Sequence, residues 1–455
     1  MTNTLYLPEI REMLAENNAV ELQEFCQALH PARTAEFMEG LRADESWNVL
    51  KHADNGSRVE IFAYFDPSKQ VEVIETADEH DVATLLERLP NDDLVDLLDH
   101  VSPDRVATLL PLLPNAMRRD VLRLRAYPED SAGAVMTTEF ARLKETDTVR
   151  QALADVSQQA EGLETIYYLY VIDEEDHLRG TVSARQLVSA MGHPDVKIVD
   201  LMERDVVSVE AEDDQEEVLH KVARYDLMAI PVVDHEHHML GIVTHDDVID
   251  VAREEATEDA HRVGGIDPLE HGYLETKLPL LIWKRGVWLV IFFCGALLTT
   301  VALQEHESTL ASVTWLVFFI PLVNSSGGNT GNQSATLVIT ALATGDITFR
   351  DGWKVIRREF LMGVALGGIL AVGAFGTSMV FDEPGWLGST VVATSLFLVV
   401  LCGTAAGTLL PLAFHRLGLD PALMSNPLVA SLIDFLGIAI YLNVALLLLP
   451  KIAGG

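Results

Sequence analysis

The chain predicts a multidomain fold in three parts: an α-helical superhelix, then an α/β tandem, then an α-helical transmembrane bundle of five spans. Three observations carry this. At 455 residues the chain is too long for one compact domain. Its charge is divided: residues 1–275 hold 59 Asp and Glu against 23 Lys and Arg, and residues 276–455 hold 9 of each, so the net charge of -36 lies wholly in the first part. The second part carries long apolar runs, each near the roughly 20 residues that a helix needs to cross a bilayer. Two different solvents are implied.

Residues 1–130 read as an acidic α-helical superhelix of short hairpins. Between Leu5 and Ala126 the Leu and Val spacing is helical. Pro31, Pro67, Pro90, Pro103 and Pro114 follow or sit beside polar residues, which suits the first helical turn, where the missing N–H is not needed. Met1 to Ala19 is polar and has no apolar core segment, so no cleavable signal is expected there and the N-terminus is expected in the cytoplasm.

Residues 131–196 and 197–245 form two copies of one pattern in a register of 61 residues. Tyr170-Val-Ile-Asp173 with Gly180-Thr-Val-Ser183 aligns on Pro231-Val-Val-Asp234 with Gly241-Ile-Val-Thr244. Each copy gives strand, turn, strand, then a helix capped by Ser183 or Thr244. Met136-Thr137 and Met202-Glu203 are expected to open the two copies. The pattern resembles a tandem pair of CBS domains, which implies a nucleotide-sensing α/β disc. In that family a Ser or Thr followed three positions later by Asp or Asn binds the ribose of an adenine nucleotide. Thr244 and Asp247 match, whereas Ser183 is followed by Gln186; Tyr170 and Pro231 are candidates to flank the adenine ring.

Residues 246–279 read as an acidic connecting helix and a linker. Asp247, Asp250, Glu254 and Glu258 fall at helical spacings of three and four, with Glu255 and Asp259 alongside. Each such like-charge pair is destabilising by a few tenths of a kcal/mol even when exposed. Asp226, Asp92, Asp93 and Asp96 could supply a facing acidic surface. A hard divalent cation takes oxygen ligands, and magnesium keeps several waters and uses only one or two carboxylates, so facing carboxylate stripes suit it. A merely solvated acidic face is the alternative; the overall acidic excess, a self-repulsion that calls for counterions, weighs against it. After Gly264-Gly265 and a Pro/Gly-punctuated linker, Trp283, Lys284, Arg285 and Trp288 make an interfacial anchor.

Residues 280–455 carry five expected spans: Trp283 to Leu303, Leu310 to Ala343 with a polar break, Phe360 to Phe381, Leu387 to Phe414 and Met424 to Leu449. Arg350, Lys354, Arg357, Arg358 and Arg416 follow the second and fourth spans, which places those loops, like the N-terminus, in the cytoplasm and the C-terminus outside. In the last span Asp434 is a lone carboxylate. Insertion costs about 2.5–3.5 kcal/mol for such a residue at mid-helix, so it is by default functional and lines a wet cavity; a hydrogen bond to Ser or Thr is the alternative. The polar run Asn324 to Thr336 interrupts the second span, and irregular backbone at membrane depth is tolerated only inside protein or along water. It either lends carbonyls to a pore or lets helices approach closely; a kink that merely packs is the alternative. Gly363 with Gly367 and Gly403 with Gly407 are small-xxx-small faces for close packing. Cys26, Cys294 and Cys402 are too scattered for a disulfide framework or a zinc motif.

Gly327-Gly-Asn-Thr-Gly-Asn-Gln-Ser-Ala-Thr336, with Leu419-Asp-Pro-Ala-Leu and Ser425-Asn-Pro-Leu-Val-Ala-Ser-Leu-Ile-Asp434, resembles the signature of MgtE magnesium channels. The resemblance implies a homodimer in the cell inner membrane with one central pore. It implies magnesium held between two copies of Asp434, with Asn329, Asn332, Asn426 and Ala430 as pore-lining candidates. It places cytoplasmic ion ligands on Asp92, Asp96, Asp226, Asp247, Asp250, Glu255, Glu258 and Asp259, with Asp420 near the inner mouth facing a connecting "plug" helix. It implies ATP at the CBS pair, which Gln186 weakens. The expected function is magnesium-gated magnesium transport. Manganese, cobalt and nickel stay open as substrates, and the runner-up is a CBS-regulated channel or transporter for another divalent cation or for an anion, gated by adenine nucleotide; Asp434 and the lack of a basic residue at mid-span weigh against an anion. No nucleophile and base share a motif, so no enzyme is expected; the expected partners are membrane lipid and a second copy, with no nucleic acid.

Overall fold

The computed structural model describes residues 6–449 except 270, 271, 275, 382, 418, 424 and 425. The chain divides into two compact units, Met1–Arg253 and Glu254–Gly455.

The first unit opens with short helices: α1 (Leu7–Ala15), α2 (Ala19–Ala28), α3 (Pro31–Met38), α4 (Ala43–Leu50), α5 (Asn55–Ala63), α6 (Pro67–Thr76), α7 (Glu79–Leu86), α8 (Asn91–His100), α9 (Pro103–Leu109) and α10 (Asn115–Leu124). Pro31, Pro67 and Pro103 are first residues of their helices, whereas Pro90 and Pro114 are the caps just before them. Asp54 and Asp78 start α5 and α7 by accepting from the backbone N–H groups two and three residues on, which satisfies donors that a helix start leaves orphaned. Their apolar faces meet in one core that begins at Leu7 and Ile10 and continues through Leu86, Leu94 and Val121 into Val209, Ile230 and Val248. The helical part is thereby packed into the second α/β copy rather than standing as a separate body.

The α/β tandem has β1 (Phe140–Lys144), α11 (Val149–Gln159), β2 (Thr165–Ile172), β3 (Leu178–Ser183) and α12 (Ala184–Ser189) in its first copy. The second has β4 (Val209–Glu210), α13 (Gln215–Tyr225), β5 (Ala229–Val233), β6 (Met239–Thr244) and α14 (His245–Val263). Each makes a three-stranded sheet, in the orders β1-β2-β3 and β4-β5-β6. The repeat holds at the level of pairing: Tyr170 opposes Thr181 and Pro231 opposes Ile242, each pair 61 residues from its counterpart, and both sheets shift register just before their last pair. The segments expected to open the two copies, Met136-Thr137 and Met202-Glu203, reach across: Thr137 pairs with Ile242 and Glu203 with Thr181, so each edges the other copy's sheet. Gly241 and Gly180 permit it, since a Cβ on either would clash with Thr137 or Glu203 backbone and a methionine sulfur.

The second unit holds α15 (Leu278–Glu305), α16 (Glu307–Ser312), α17 (Trp315–Ala343), α18 (Gly352–Ser378), α19 (Gly385–Arg416) and α20 (Asn426–Leu448). Among the described residues four of these, α15, α18, α19 and α20, are long and apolar enough to cross a membrane. The expected second span, α17, is as long but carries the polar run. That run is not an interruption. Pro321 and Asn324 to Thr336 lie within one continuous helix, so of the alternatives the run offered, close approach of helices is the one this structure shows. Helical order survives because Gly327 and Gly331 meet Gly403 and Gly407 of α19 backbone to backbone: a Cβ on Gly403 or Gly407 would strike the Gly327 or Gly331 carbonyl oxygen. Gly363 and Gly367 of α18 likewise take up Thr404 and Phe397. The start of the expected fifth span at Met424, with Ser425, lies outside the described residues.

Candidate cation sites

In the first unit three elements converge on a carboxylate group. Asp92 sits in the first turn of α8, Glu164 just before β2, and Asp246 and Asp247 in the first turn of α14. Asp92 is 7% exposed, and its Oδ1 has no hydrogen-bond partner among the described residues. Burial pushes its carboxyl well above the usual range, with Asp247, Asp93 and Glu164 adding repulsion. Burial lifts Asp247 to about 6 against two hydrogen bonds from Thr244, whose N–H donates at 3.2 Å and hydroxyl at 2.6 Å. Glu164 is raised to about 7 by burial and by Asp247, Asp246 and Asp93. An orphaned buried oxygen among mutually repelling carboxylates is what a hydrated divalent cation would relieve. Glu164 was missed by sequence reasoning. The 61-residue register could have found it, because it adjoins the counterpart of Asp226.

The other expected cytoplasmic ligands are placed differently. Asp226 is exposed, capping α13 in the left-handed conformation. Asp250 pairs with Arg253 at 3.2 Å, with a side chain 72% exposed. Asp96 lies one turn beyond Asp92 on α8. Among the described residues the group whose ligand atoms already lie within 4.8 Å is Glu210, Glu212 and His235, all exposed and none of them expected; its imidazole is engaged by Glu210 at 2.7 Å. In the second unit Glu258, Asp259 and Asp420 do come together, and Glu255 lies half-buried on the same helix. Burial and the charge of Asp420 raise the Asp259 carboxyl. The Arg262 guanidinium bridges Glu258 and Asp420.

Within the apolar helices α17 and α20 lay polar edges side by side. On α20 Asn426, Ala430 and Asp434 recur every fourth residue, hence on one face. On α17 Asn329, Asn332 and Thr336 fall three and four residues apart and also share a face. The Thr336 hydroxyl donates to Asn426 Oδ1 at 3.2 Å, and Asn324 Nδ2 donates to the Asp434 backbone carbonyl at 3.4 Å. The Asp434 carboxylate is half-buried and has no hydrogen-bond partner among the described residues, so the alternative of a bond to Ser or Thr falls away. Asn332 Oδ1 is likewise buried without a partner. One further acid was missed: Glu359 on α18 accepts from Ser334 of α17 at 2.9 Å. The third helix starts at Gly352, eight residues before the expected Phe360, which brings Glu359 inside it.

The chain matches three family models: the MgtE divalent cation transporter over residues 320–444, the MgtE intracellular N domain over 29–130, and the CBS domain over 132–193 and 198–254. It is 39% identical over 447 residues to the magnesium transporter MgtE of Thermus thermophilus, covering 97% of this chain and 98% of that one. The chain belongs to the MgtE family. A second relative, the magnesium transporter MgtE of Bacillus subtilis, is 38% identical and covers 71% of this chain and 70% of its own length. Among solved structures, the soluble part of a magnesium transporter matches at 33% identity and TM-score 0.51, covering 55% of this chain and 97% of that one. The cytosolic domain of the Mg2+ channel MgtE in complex with ATP matches at 35% and 0.51, covering 53% and 98%.

Against that MgtE background the expected nucleotide residues divide. Thr244 and Asp247 are bonded to one another at the start of α14, and Ser183 and Gln186 make the same box in the first copy, the hydroxyl donating to Gln186 Oε1 at 2.7 Å. Tyr170 and Pro231 are corrected. Both are buried, Tyr170 only 1% exposed in the core between the sheets, with Phe140 edge-on at 5.9 Å. Neither ring is presented to a ligand.

Proposed function

We propose that this chain is a magnesium channel that magnesium itself closes, working as a homodimer in the cell inner membrane with its N-terminus in the cytoplasm. The observation that carries the reading is the unpartnered Asp434 carboxylate on the edge shared by Asn426, Ala430 and Asn332. A fixed charge left without a donor inside an apolar helix is costly unless it serves a permeant cation. Two copies of that edge facing each other would line a pore, with Asn329 along its wall. One carboxylate and a few amides per subunit suit an ion that enters with much of its water, which favours magnesium over calcium. The likeness to magnesium transporters over the whole chain supports the same substrate.

On the cytoplasmic side, Asp92, Asp247 and Glu164 in the first unit and Glu258, Asp259 and Asp420 in the second would bind magnesium in the compact state only. A ligand shifts a two-state equilibrium by its differential affinity alone, so several weak ions bound in one state add up to a steep closure. Asp96, Asp226 and Asp250 of the first unit and Glu255 of the second would add further carboxylates. ATP at the CBS pair, through Thr244 and Asp247, is supported by the ATP complex of the related cytosolic domain. The test is ion flux into liposomes, compared across magnesium, calcium, manganese, cobalt and chloride, at set cytoplasmic magnesium. Flux of chloride, or divalent flux indifferent to Asp434→Asn, would overturn the reading.

A further inference from the structure

Arg262 ends the charged stretch of α14, one turn beyond Glu258. Its guanidinium contacts Glu258 on its own helix and Asp420, 158 residues away, just before the short turn Pro421–Leu423. The three side chains are 32%, 26% and 29% exposed, so this is a half-covered bridge rather than a surface pair. Asp420 is itself held in place, its Oδ1 accepting from the Ala422 N–H at 2.7 Å.

The segment after Arg262 is seated as well. Gly265 takes φ +70°, and a Cβ there would stand 3.0 Å from the Phe292 ring and 3.4 Å from Pro427. Asp267 accepts from Trp288 Nε1 at 2.8 Å, and Lys284 donates to the Pro268 carbonyl at 2.5 Å. The end of α14 therefore rests on α15 and on the start of α20 through protein contacts, with a tethered cation where Glu258 and Asp420 meet.

We propose that Arg262 is a positioning residue of the gate: it occupies the Glu258–Asp420 carboxylate pair as a resident cation and seats the end of α14 when divalent cation is scarce. The inference rests on reading α14 as the element that closes the pore. A guanidinium and a divalent ion cannot both take the same Asp420 oxygen, so Arg262 also lowers the affinity of this pair for ions. Removing it leaves Glu258, Asp259 and Asp420 without the guanidinium that offsets their mutual repulsion. The helix then loosens without magnesium and binds magnesium more tightly once it is present. The response becomes steeper at both ends.

The test uses purified full-length protein. In EDTA, backbone hydrogen exchange over residues 258–268 should be slow in the wild type and faster in Arg262→Gln. Flux at low cytoplasmic magnesium should rise roughly fivefold, as two ion pairs of modest strength allow, while the midpoint for closure moves to lower magnesium. Arg262→Lys should restore part of both effects. The exchange Arg262→Glu with Asp420→Arg should restore slow exchange, because the new arginine can bridge Glu258 and the new glutamate from the other side; a merely packed residue would not be rescued so. Unchanged exchange and an unchanged magnesium midpoint in Arg262→Gln would overturn the proposal. If wild-type flux ignores cytoplasmic magnesium, the gating reading fails by itself, and the exchange arm then decides alone whether Arg262 seats the helix.

Discussion

The carboxylates of the first unit should make its stability fall, not rise, between acid and neutral pH. Asp247 titrates at about 6 and Glu164 at about 7 in the folded state, above their ordinary 3.8 and 4.5, and Asp92 moves the same way. From about pH 4 to about pH 7 the folded state therefore holds protons that the unfolded chain has released. Stability then decreases with rising pH, being fully present below the unfolded values and lost above the folded ones. For Asp247 the displacement is worth about 3 kcal/mol at about 1.4 kcal/mol per factor of ten. Glu164 is more exposed, so solvent screening cuts its share, and the two interact, so their contributions do not add. A net loss of about 3 kcal/mol corresponds to roughly 6–12 °C in Tm for a unit of this size.

The assay is thermal unfolding of the fragment ending at Val263, at pH 5 and pH 7.5, in EDTA and in magnesium. Magnesium at about 100 times its Kd should return about 2.7 kcal/mol at pH 7.5 and little at pH 5, where protons already occupy the carboxyls. His235 and His238, raised by Glu210 and Asp234, act in the same direction with pH but are fully exposed, so the variant Asp247→Asn separates the causes. It keeps an oxygen to accept from Thr244, should stabilise the fragment at pH 7.5 without magnesium, and should shrink the gain from magnesium. Stability that rises from pH 5 to 7.5 in EDTA, or an undiminished magnesium gain in the variant, refutes the reasoning.

Three further outcomes are expected. Asp434→Asn should cut divalent flux by about tenfold or more, ~1.4 kcal/mol, with unchanged assembly in detergent; wild-type flux would remove the carboxylate from the pore. Gly407→Ala puts a methyl against the Gly331 carbonyl and 3.0 Å from the Ala335 N, and should lower thermal stability by about 1–3 kcal/mol as overpacking does, which an unshifted Tm in detergent would disprove. Glu359→Leu strips the acceptor from Ser334 and should cost about 1 kcal/mol, in the range of hydrogen bonds between membrane helices, while Glu359→Gln should retain most of it; equal loss in both variants would show that the bond to Ser334 is not what matters.

Local and periodic features were legible in the sequence because one stretch of chain decides them. The prolines at the starts of N-terminal helices are an example, and so is the 61-residue repeat, which survives down to the paired residues Tyr170–Thr181 and Pro231–Ile242. Which elements meet was not legible. A repeat with two equal halves is indifferent to exchange, so nothing in the pattern could assign Thr137 to the second sheet and Glu203 to the first. Tyr170 stands in a strand that ends in four consecutive buried residues, and a run without polar alternation does not say which of its rings meets solvent.

The membrane part shows the same division within single residues. Asn, Ser, Gly and Thr are weak helix formers, so the run from Asn324 to Thr336 read as a break. What keeps it helical is tertiary contact: α19 presents Gly403 and Gly407 at the positions where a side chain would separate the backbones. Within the run, Ser326 and Thr330 satisfy their hydroxyls on carbonyls four residues back, both at 2.8 Å. With those groups satisfied inside the helix, the polar capacity left over lies on Asn324 and Asn332, whose Oδ1 atoms are orphaned among the described residues, and on the neighbouring α20. Asp434 was legible from its cost alone, a charge in an apolar span. Its backbone carbonyl is fastened to Asn324 while its carboxylate is left unpartnered, and a structure that spends a nearby amide on the main chain of Asp434 rather than on its charge leaves that charge for a cation.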